Sequence, residues 1–299
     1  MKTIQQSYPA LNDALGVEVY IKREDQHKYG SHKGRSIPLM IKKYFKEEEI
    51  TNFVISSSGN AGIAAIHAVQ AHNRNNENNI TLNIFIGKNI DVRKFKALQS
   101  LIEDPNITLE QVERPKQAAF QLEKSGDAKN LRQSTDDVAL MGYYELADEI
   151  NKIPNLQAIF VPTSSGTTAQ GLGVAFDALP PSKWGGKQHP EIHIVQTTSC
   201  HPIATVFDTD IEKTDTSIAG AIVDNVAHRK DAVIEVITKS GGSGWVVTDT
   251  EIAAAQELLK TTAKIHTSPN AAMSIAGLQK ALRSGKNYDG VVVCLLTGM

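Results

Sequence analysis

One basic stretch of the sequence, IKREDQHKYGSHKGRS at residues 21–36, contains a lysine whose neighbours could change its chemistry. A lysine forms a Schiff base only as the neutral amine, so its charge must be suppressed by desolvation or by nearby cations. Lys28, His32 and Arg35 supply such cations close to Lys33 in sequence. The stretch therefore predicts a reactive lysine at position 33.

Two glycines flank this lysine, and they leave a second interpretation open. Gly30 and Gly34 would each permit an unusual backbone path around the amine. The alternative is a solvated basic turn without chemistry, because short motifs often match by chance. The rest of the sequence is needed to distinguish a reactive lysine from a solvated turn.

Two turns rich in small and hydroxyl residues lie further along the chain, SSSGNAG at residues 56–62 and TSSGTTAQG at residues 163–171. Each follows a short apolar run and precedes a small-residue helix, a context in which backbone N–H groups converge on an anion. Each could also be only a tight turn. The second turn offers hydroxyls that suit a phosphate, namely Thr163, Ser164, Ser165, Thr167 and Thr168. No GK[ST] sequence follows, which excludes a P-loop.

Strands and helices alternate along the whole chain, and this predicts parallel sheets covered by helices on both faces. The predicted strands are residues 17–22, 52–56, 80–86, 108–112, 130–133, 157–161, 191–196, 232–237 and 290–296. The predicted helices are residues 37–49, 62–73, 91–102, 115–124, 138–152, 169–179, 249–263 and 268–284, with Asp91 and either Thr248 or Asp249 as N-caps. Residues 179–190 are predicted to be a surface loop.

Composition excludes several classes of protein. The chain has 299 residues and a formal net charge of −2, which argues against a nucleic-acid-binding face. Its two cysteines, Cys200 and Cys294, cannot form a disulfide framework. No signal peptide, membrane span or metal-ligand spacing is present. We therefore expect a cytoplasmic protein that binds no metal, no nucleic acid and no membrane.

The candidate residues share one kind of position. Lys33, Asn60, the turn at residues 163–168 and Thr297 all follow predicted strands or lie in turns. Parallel α/β proteins bind ligands at the carboxyl ends of their strands. A single crevice between two α/β units would collect all four.

These motifs resemble the pyridoxal-phosphate enzymes of fold type II, a family that includes threonine synthase, serine/threonine dehydratase, cysteine synthase and the tryptophan synthase β chain. The resemblance covers KRED with GSHKGR, then SSSGNAG, and then VPTSSGTTAQG. It implies pyridoxal 5'-phosphate as cofactor, joined to Lys33 as a Schiff base. It implies further cofactor contacts from His32, Asn60, Thr163, Ser164, Ser165, Gly166, Thr167, Thr168 and Thr297. The substrate carboxylate would be held by Ser57, Ser58, Gly59, Asn60 and Ala61.

The C-terminal third is similar to threonine synthase in particular, through GYYELADEI, TSIAGAI, VVTDTEI, SPNAAMSIAGL and VVVCLLTG. The last motif would place the hydroxyl of Thr297 at the pyridine nitrogen, which favours elimination and replacement over transamination. Two residues depart from the family pattern. Ser268 stands where relatives have Glu, and Gly34 stands where threonine synthase has Asp.

The resemblance implies two three-layer α/β domains with mostly parallel sheets and the cofactor in the interdomain cleft. Residues 1–36 with 136–299 would form the large cofactor-binding domain, and residues 37–135 a small mobile domain carrying the carboxylate loop. We expect a lyase acting on a small hydroxy or phospho-hydroxy amino acid by threonine synthase-like β,γ-elimination and replacement. The alternatives are a serine/threonine dehydratase, another β-elimination or β-replacement enzyme such as cysteine synthase, and a cofactor-binding protein without catalysis. A homodimer is usual in the family.

Overall fold

The computed structural model of this chain describes residues 2–179 and 189–298. Its strands are β1 (Gln5–Ser7), β2 (Val19–Arg23), β3 (Asn52–Ser56), β4 (Thr81–Gly87), β5 (Ile107–Val112), β6 (Lys129–Asn130), β7 (Leu156–Pro162), β8 (Glu191–Thr197), β9 (Gly244–Val247) and β10 (Val291–Leu296). Its helices are α1 (Pro9–Leu15), α2 (Lys33–Glu48), α3 (Asn60–Asn75), α4 (Val92–Ser100), α5 (Pro115–Ser125), α6 (Val138–Met141), α7 (Tyr144–Ile150), α8 (Thr167–Asp177), α9 (Lys230–Ser240), α10 (Asp249–Leu258) and α11 (Pro269–Arg283). Most of the loop predicted at residues 179–190 lies outside the described residues.

The chain divides into two compact units. The large unit comprises Met1–His27 and Tyr143–Met299, and the small unit comprises Lys28–Gly142. Lys33 therefore belongs to the small unit. The prediction from sequence had placed residues 1–36 in the large domain. The mobility of a domain at residues 37–135 stays a prediction.

The large unit is built on a sheet with the strand order β1-β2-β10-β7-β8-β9. Only β1 is antiparallel to its neighbour among these pairings. Residues of β10 alternate between two hydrophobic clusters, with Val292 and Cys294 in one and Val293 and Leu295 in the other. A strand whose two faces are both buried is the form expected of a parallel sheet between helical layers. The predicted architecture is confirmed here.

The small unit contains a parallel sheet with the strand order β5-β4-β3-β6. Phe53 and Ile55 of β3 lie in one hydrophobic cluster, and Val54 between them lies in another. The central strand β3 is thus buried on both faces, as its continuous apolar sequence predicts.

Helix α2 begins four residues earlier than the sequence predicts, at Lys33 rather than at residue 37. Gly34 is an ordinary helical residue, so the prediction of an unusual backbone at Gly34 was wrong. Pro38 lies inside the helix and cannot donate to the carbonyl of Gly34, which disfavours a helix that begins at Lys33. Burial of the helix face that carries Ile37, Met40 and Ile41 outweighs that loss.

The predicted strand at residues 232–237 was also wrong, because this segment is helix α9. Its β-branched residues resemble a strand in composition. However, the buried positions Val233, Ile237 and Ser240 recur at helical spacing, and Gly241 ends the helix with φ 75°. The strand that follows, β9, was not predicted, nor were β1 and α1.

The single helix predicted at residues 138–152 is two helices, α6 and α7, separated at Gly142. A Cβ on Gly142 would lie 2.4 Å from Cα of Ser36 and 2.6 Å from the carbonyl oxygen of Arg35. Only glycine permits this close backbone approach. The predicted N-caps are confirmed, since Asp91 caps α4 and Thr248 forms a capping box with Glu251 on α10.

A buried histidine, His193, lies at the centre of a hydrogen-bonded cluster near the amino end of β8. Trp245 Nε1 donates to His193 Nδ1 over 3.2 Å, which leaves the proton of His193 on Nε2. That Nε2 faces Glu191 Oε2 at 3.3 Å and the Tyr288 hydroxyl at 3.2 Å, and the ring stacks on Phe160. Desolvation lowers the pKa of His193, so its neutral form belongs to the folded state.

Three further properties bear on function. Cys200 and Cys294 are both buried, and neither is in a disulfide bond. Over the residues described, no helix is both long and apolar enough to cross a membrane. Within the same residues, no three His, Cys, Asp or Glu side chains cluster in a way that could hold a metal ion.

Candidate active site

Lys33 is the first residue of α2 and is half-buried. Its backbone N–H donates to Ser31 Oγ over 3.3 Å. Gly30 has φ 76°, a left-handed conformation that glycine adopts without strain. His32 and Arg35 are buried on either side of the lysine in sequence. The predicted lysine thus lies at the positive end of a helix dipole, on a backbone held by a tight turn.

The turn SSSGNAG joins β3 to α3, as predicted. Ser57 Oγ accepts from the N–H of Gly59 over 3.3 Å and from that of Gly62 over 3.2 Å. A Cβ on Gly62 would lie 2.6 Å from the carbonyl oxygen of Ser57, so the turn closes only around glycine. Asn60 begins α3. The N-cap residue, Gly59, has no side chain, and Ser57 Oγ accepts from the N–H of Gly62 in the first turn of the helix. The N–H groups of Asn60 and Ala61 thus point out of a helix N-terminus.

The turn at residues 163–168 joins β7 to α8. Gly166 is the N-cap residue of α8 with φ 87°, and among described residues no side chain caps the helix there. The hydroxyls of this turn have different partners. Thr163 Oγ1 donates to the carbonyl of Val161 in its own strand, over 2.8 Å. Its hydroxyl hydrogen is therefore engaged in this structure, and the contact of Thr163 with a phosphate stays a prediction.

Two further hydroxyls of the turn are also engaged within the large unit. Ser164 Oγ accepts from the N–H groups of Val223 and Asp224 over 3.2 and 3.3 Å. Ser165 and Thr167 share a hydrogen bond of 2.9 Å. As an acceptor, Ser164 keeps its own hydrogen for an anion. The turn therefore retains a hydroxyl donor beside its backbone N–H groups.

Thr297 is buried and follows the last residue of β10. Strand β10 pairs in parallel with β7, with Cys294 opposite Phe160. Because both strands end two residues further on, Thr297 lies at the same sheet edge as the turn at residues 163–168. In the small unit, Lys33 and Asn60 begin α2 and α3, two helices that pack against each other.

Several supporting residues were not predicted. Gln196 is fully buried, and its Oε1 accepts from the N–H groups of Ile203 and Ala204. Its Nε2 lies 3.4 Å from the carbonyl oxygen of Thr163, so it braces the start of the turn. A glutamine ending the apolar run EIHIVQ was the available signal, because a polar residue buried in a sheet requires partners.

A second unpredicted pair lies on the other side of the same turn. Arg229 is buried, and its Nη1 donates to Gln170 Oε1 on the first turn of α8 over 2.8 Å. A Cβ on Gly166 would lie 2.5 Å from Cγ2 of Val233, one helical turn after Arg229. Helix α9 therefore packs directly behind the turn.

The KRED motif has structural contacts in the large unit. Lys22 is fully buried and forms an ion pair with Glu149, while Thr3 Oγ1 donates to Glu24. Arg23 forms a two-pronged contact with Asp25, which raises the pKa of Arg23. Glu149 belongs to GYYELADEI, so this ion pair connects two of the motifs that carry the resemblance.

Parallel α/β sheets whose carboxyl edges carry helix N-termini with glycine as the N-cap residue define a class of protein that binds anionic ligands. The comparisons place the chain within that class. Residues 2–298 match the family model described as pyridoxal-phosphate dependent enzyme. The chain belongs to this family, and the family indicates pyridoxal 5'-phosphate as its cofactor.

The relatives of this chain include threonine synthases and threonine dehydratases. The chain is 27% identical to a threonine synthase of Halalkalibacterium halodurans over 96% of this chain and 79% of that protein. It is 25% identical to threonine dehydratase 2 of Solanum lycopersicum over 58% of this chain and 28% of that protein. Among solved structures, the fold is similar to that of threonine deaminase isoform 2 of Solanum lycopersicum. The superposition has a TM-score of 0.80 at 20% identity and covers 100% of this chain and 79% of that one. The superposition on maize serine racemase has a TM-score of 0.79 at 19% identity and covers 100% of this chain and 88% of that one. At such identities these structures show the fold alone.

The donor set of the large unit fits the cofactor's phosphate. The N-cap residue of α8 is Gly166, which has no side chain, and the turn around it is rich in hydroxyl residues. Phosphate takes many donors, and such a helix end offers several at once. A Cβ at Gly166 would meet Cγ2 of Val233 behind this turn.

We expect Gly166→Ala to lower the affinity for pyridoxal phosphate at least about tenfold, because a Cβ there meets Val233 and strains a left-handed backbone. The measurement is an equilibrium titration of cofactor-free protein, followed by visible absorbance. Gly241→Ala is the matched control, since Gly241 also has a left-handed φ but a Cβ there meets nothing within 4 Å. Equal affinities in both variants and the unchanged protein would show that the turn does not hold the phosphate.

Proposed function

We propose that the chain is a lyase of the threonine synthase type, acting on a small phospho-hydroxy amino acid. The observation that supports it most directly is the likeness to threonine synthase, which extends over 96% of the chain at 27% identity. The sequence motifs of the C-terminal third support the same assignment.

Each predicted residue has a role in this proposal. The cofactor, when bound, supplies an electron sink that stabilises negative charge at the substrate Cα. Lys33 attaches the cofactor and then moves protons at Cα and at the next carbon. His32 lies against the cofactor, and Asn60 hydrogen-bonds its 3' oxygen. The residues that bind its phosphate are Thr163, Ser164, Ser165, Gly166, Thr167 and Thr168. Thr297 holds the ring nitrogen.

The substrate carboxylate is assigned to the N-terminus of α3, through Ser57, Ser58, Gly59, Asn60 and Ala61. Ser57 already accepts two N–H groups there, so its part is to shape the turn. The remaining N–H groups suit a carboxylate, because a helix N-terminus binds anions.

The proposed net reaction is balanced by water alone. The Cγ–O bond of the substrate breaks, and inorganic phosphate leaves with the bonding electrons. A proton leaves Cβ and one is returned to Cγ. Water then adds its hydroxyl at Cβ, and the other proton of the water balances the charge of the released phosphate. The products are a 3-hydroxy amino acid and phosphate, and no oxidant or reductant is required.

A serine/threonine dehydratase is the second candidate, supported by the likeness to the tomato enzyme. That reaction eliminates water from a hydroxy amino acid and releases ammonia with a 2-oxo acid. The test is a product assay on the purified protein loaded with pyridoxal phosphate. We expect phosphate from an O-phosphorylated homoserine and little ammonia from serine or threonine. Ammonia without phosphate would replace the first candidate by the second.

The product assay also separates catalysis from mere binding. A cofactor-loaded protein that turns over no amino acid, including O-acetylserine as a substrate for β-replacement, would be a cofactor-binding protein.

A further inference from the structure

Ser268 departs from the family pattern, and its contacts in the large unit connect two elements beside Thr297. It is the N-cap residue of α11, where its Oγ accepts from the N–H of Ala271 over 3.4 Å. The same Oγ donates to the carbonyl oxygen of Gly298 over 2.7 Å. A serine hydroxyl has one hydrogen to donate, so this hydrogen is committed to Gly298.

The accepting carbonyl lies directly after Thr297. On its other side, Thr297 is preceded by Leu296, the last residue of β10, whose position is fixed by pairing with Arg23 of β2. The backbone of Thr297 is thus held by the sheet before it and by Ser268 after it. Thr297 and Gly298 are both buried, and Ser268 is half-buried, so the bond is partly shielded from competing water.

A second residue at the start of α11 makes a further contact to the large unit. Asn270 Oδ1, two residues into the same helix end, accepts from the N–H of Ala221 over 2.9 Å. Residues 221–224 in turn donate to Ser164 of the phosphate-type turn through Val223 and Asp224. The start of α11 therefore braces both the segment after β10 and the segment that contacts Ser164.

We propose that Ser268 is the positioning residue for Thr297: its hydrogen bond to Gly298 holds the Thr297 hydroxyl at the ring nitrogen of the cofactor. This inference rests on the proposed function, because it assigns the ring nitrogen to Thr297. A hydroxyl contributes to binding only when it is held at hydrogen-bonding distance and angle. Loss of the brace therefore weakens one contact of the cofactor and leaves its phosphate contacts unchanged.

The test compares two ligands on the full chain freed of cofactor. One is pyridoxal phosphate, and the other is its analogue with the ring nitrogen replaced by a carbon. The analogue keeps the phosphate and the aldehyde but offers nothing to Thr297. The intrinsic difference between the two ligands is the same for every variant, so a change in the preference between variants measures the ring-nitrogen contact.

Four variants separate bracing from helix capping. Ser268→Asp keeps a good N-cap but supplies no hydrogen, and Ser268→Ala loses both functions. Ser268→Thr keeps both. Thr248→Ala removes the cap of α10 and nothing near Gly298, so it controls for loss of helix stability.

We expect Ser268→Asp and Ser268→Ala to lower the preference for pyridoxal phosphate about tenfold, the size of one net hydrogen bond. Ser268→Thr and Thr248→Ala should keep the preference of the unchanged protein. Equal loss of both ligands in Ser268→Asp, or an unchanged preference, would overturn the role of Ser268. If the unchanged protein binds no pyridoxal phosphate, the proposed function fails and this inference with it.

Discussion

Lys33→Ala should abolish covalent attachment of pyridoxal phosphate and lower turnover by roughly a thousandfold or more, because no other group is assigned as nucleophile and base. Lys33 is the first residue of α2, a position that alanine tolerates, so the variant should fold. The measurement is borohydride reduction of the loaded protein, followed by peptide mapping of the adduct. The adduct should lie on Lys33 in the unchanged protein and be absent from the variant.

Two controls distinguish chemistry from charge at this position. Lys33→Arg keeps the positive charge, but a guanidinium does not lose its proton and cannot form the linkage. Lys28→Ala removes a lysine five residues earlier, whose Nζ lies over the Tyr29 ring at 4.9 Å, and should keep the adduct on Lys33. An adduct that persists in Lys33→Ala on another lysine would refute the assignment.

The turns of the candidate site could be predicted because their signals are local. Gly30, Gly62 and Gly166 stand where the backbone has positive φ or approaches another chain segment closely, and sequence shows such glycines directly. The parallel sheets were equally predictable, since their strands are continuous apolar runs. The assignment of cofactor roles to these turns stays a prediction.

The supporting residues could not be predicted, because their partners are distant in sequence. Ser268 bonds to a carbonyl 30 residues away, and Gln196 braces a turn 33 residues away. A lone serine before a proline predicts a helix cap, and nothing near it indicates the second contact. Ser268 therefore looked like the loss of a glutamate, whereas it has two bonds of its own.

The errors in secondary structure have a similar cause. In α9, β-branched residues favoured a strand by local preference, but the packing of Val236 on Gly173 of α8 determines a helix. In α2, Pro38 disfavours a helix that begins at Lys33, but burial of the apolar face of the helix outweighs this local effect. Tertiary packing decided both cases, and local sequence contains no direct record of it.

The second large effect is expected from Lys22→Met, which removes a buried cation from the large unit. Lys22 is fully buried, and its Nζ donates to Glu149, to the carbonyl of Thr3 over 3.0 Å and to Gln5 Oε1 over 3.3 Å. The carboxylate of Glu149 is almost fully buried as well. Removing one partner of a buried ion pair costs about 3–5 kcal/mol in the free energy of unfolding, because the other charge stays desolvated.

Urea denaturation followed by tryptophan fluorescence measures this loss, since Trp245 lies in the core of the large unit. Lys152→Met is the matched control. Its pair with Asp148 is exposed on both sides and should contribute less than about 0.5 kcal/mol.

The double variant Lys22→Met with Glu149→Gln identifies the cause of the loss. A neutral amide no longer requires a buried counter-charge, so the double variant should regain part of the stability lost in Lys22→Met. If the double variant is as unstable as the sum of the two single variants, the two side chains do not interact energetically. The KRED and GYYELADEI motifs would then be joined by proximity alone, and their ion pair would not explain why both occur in one chain.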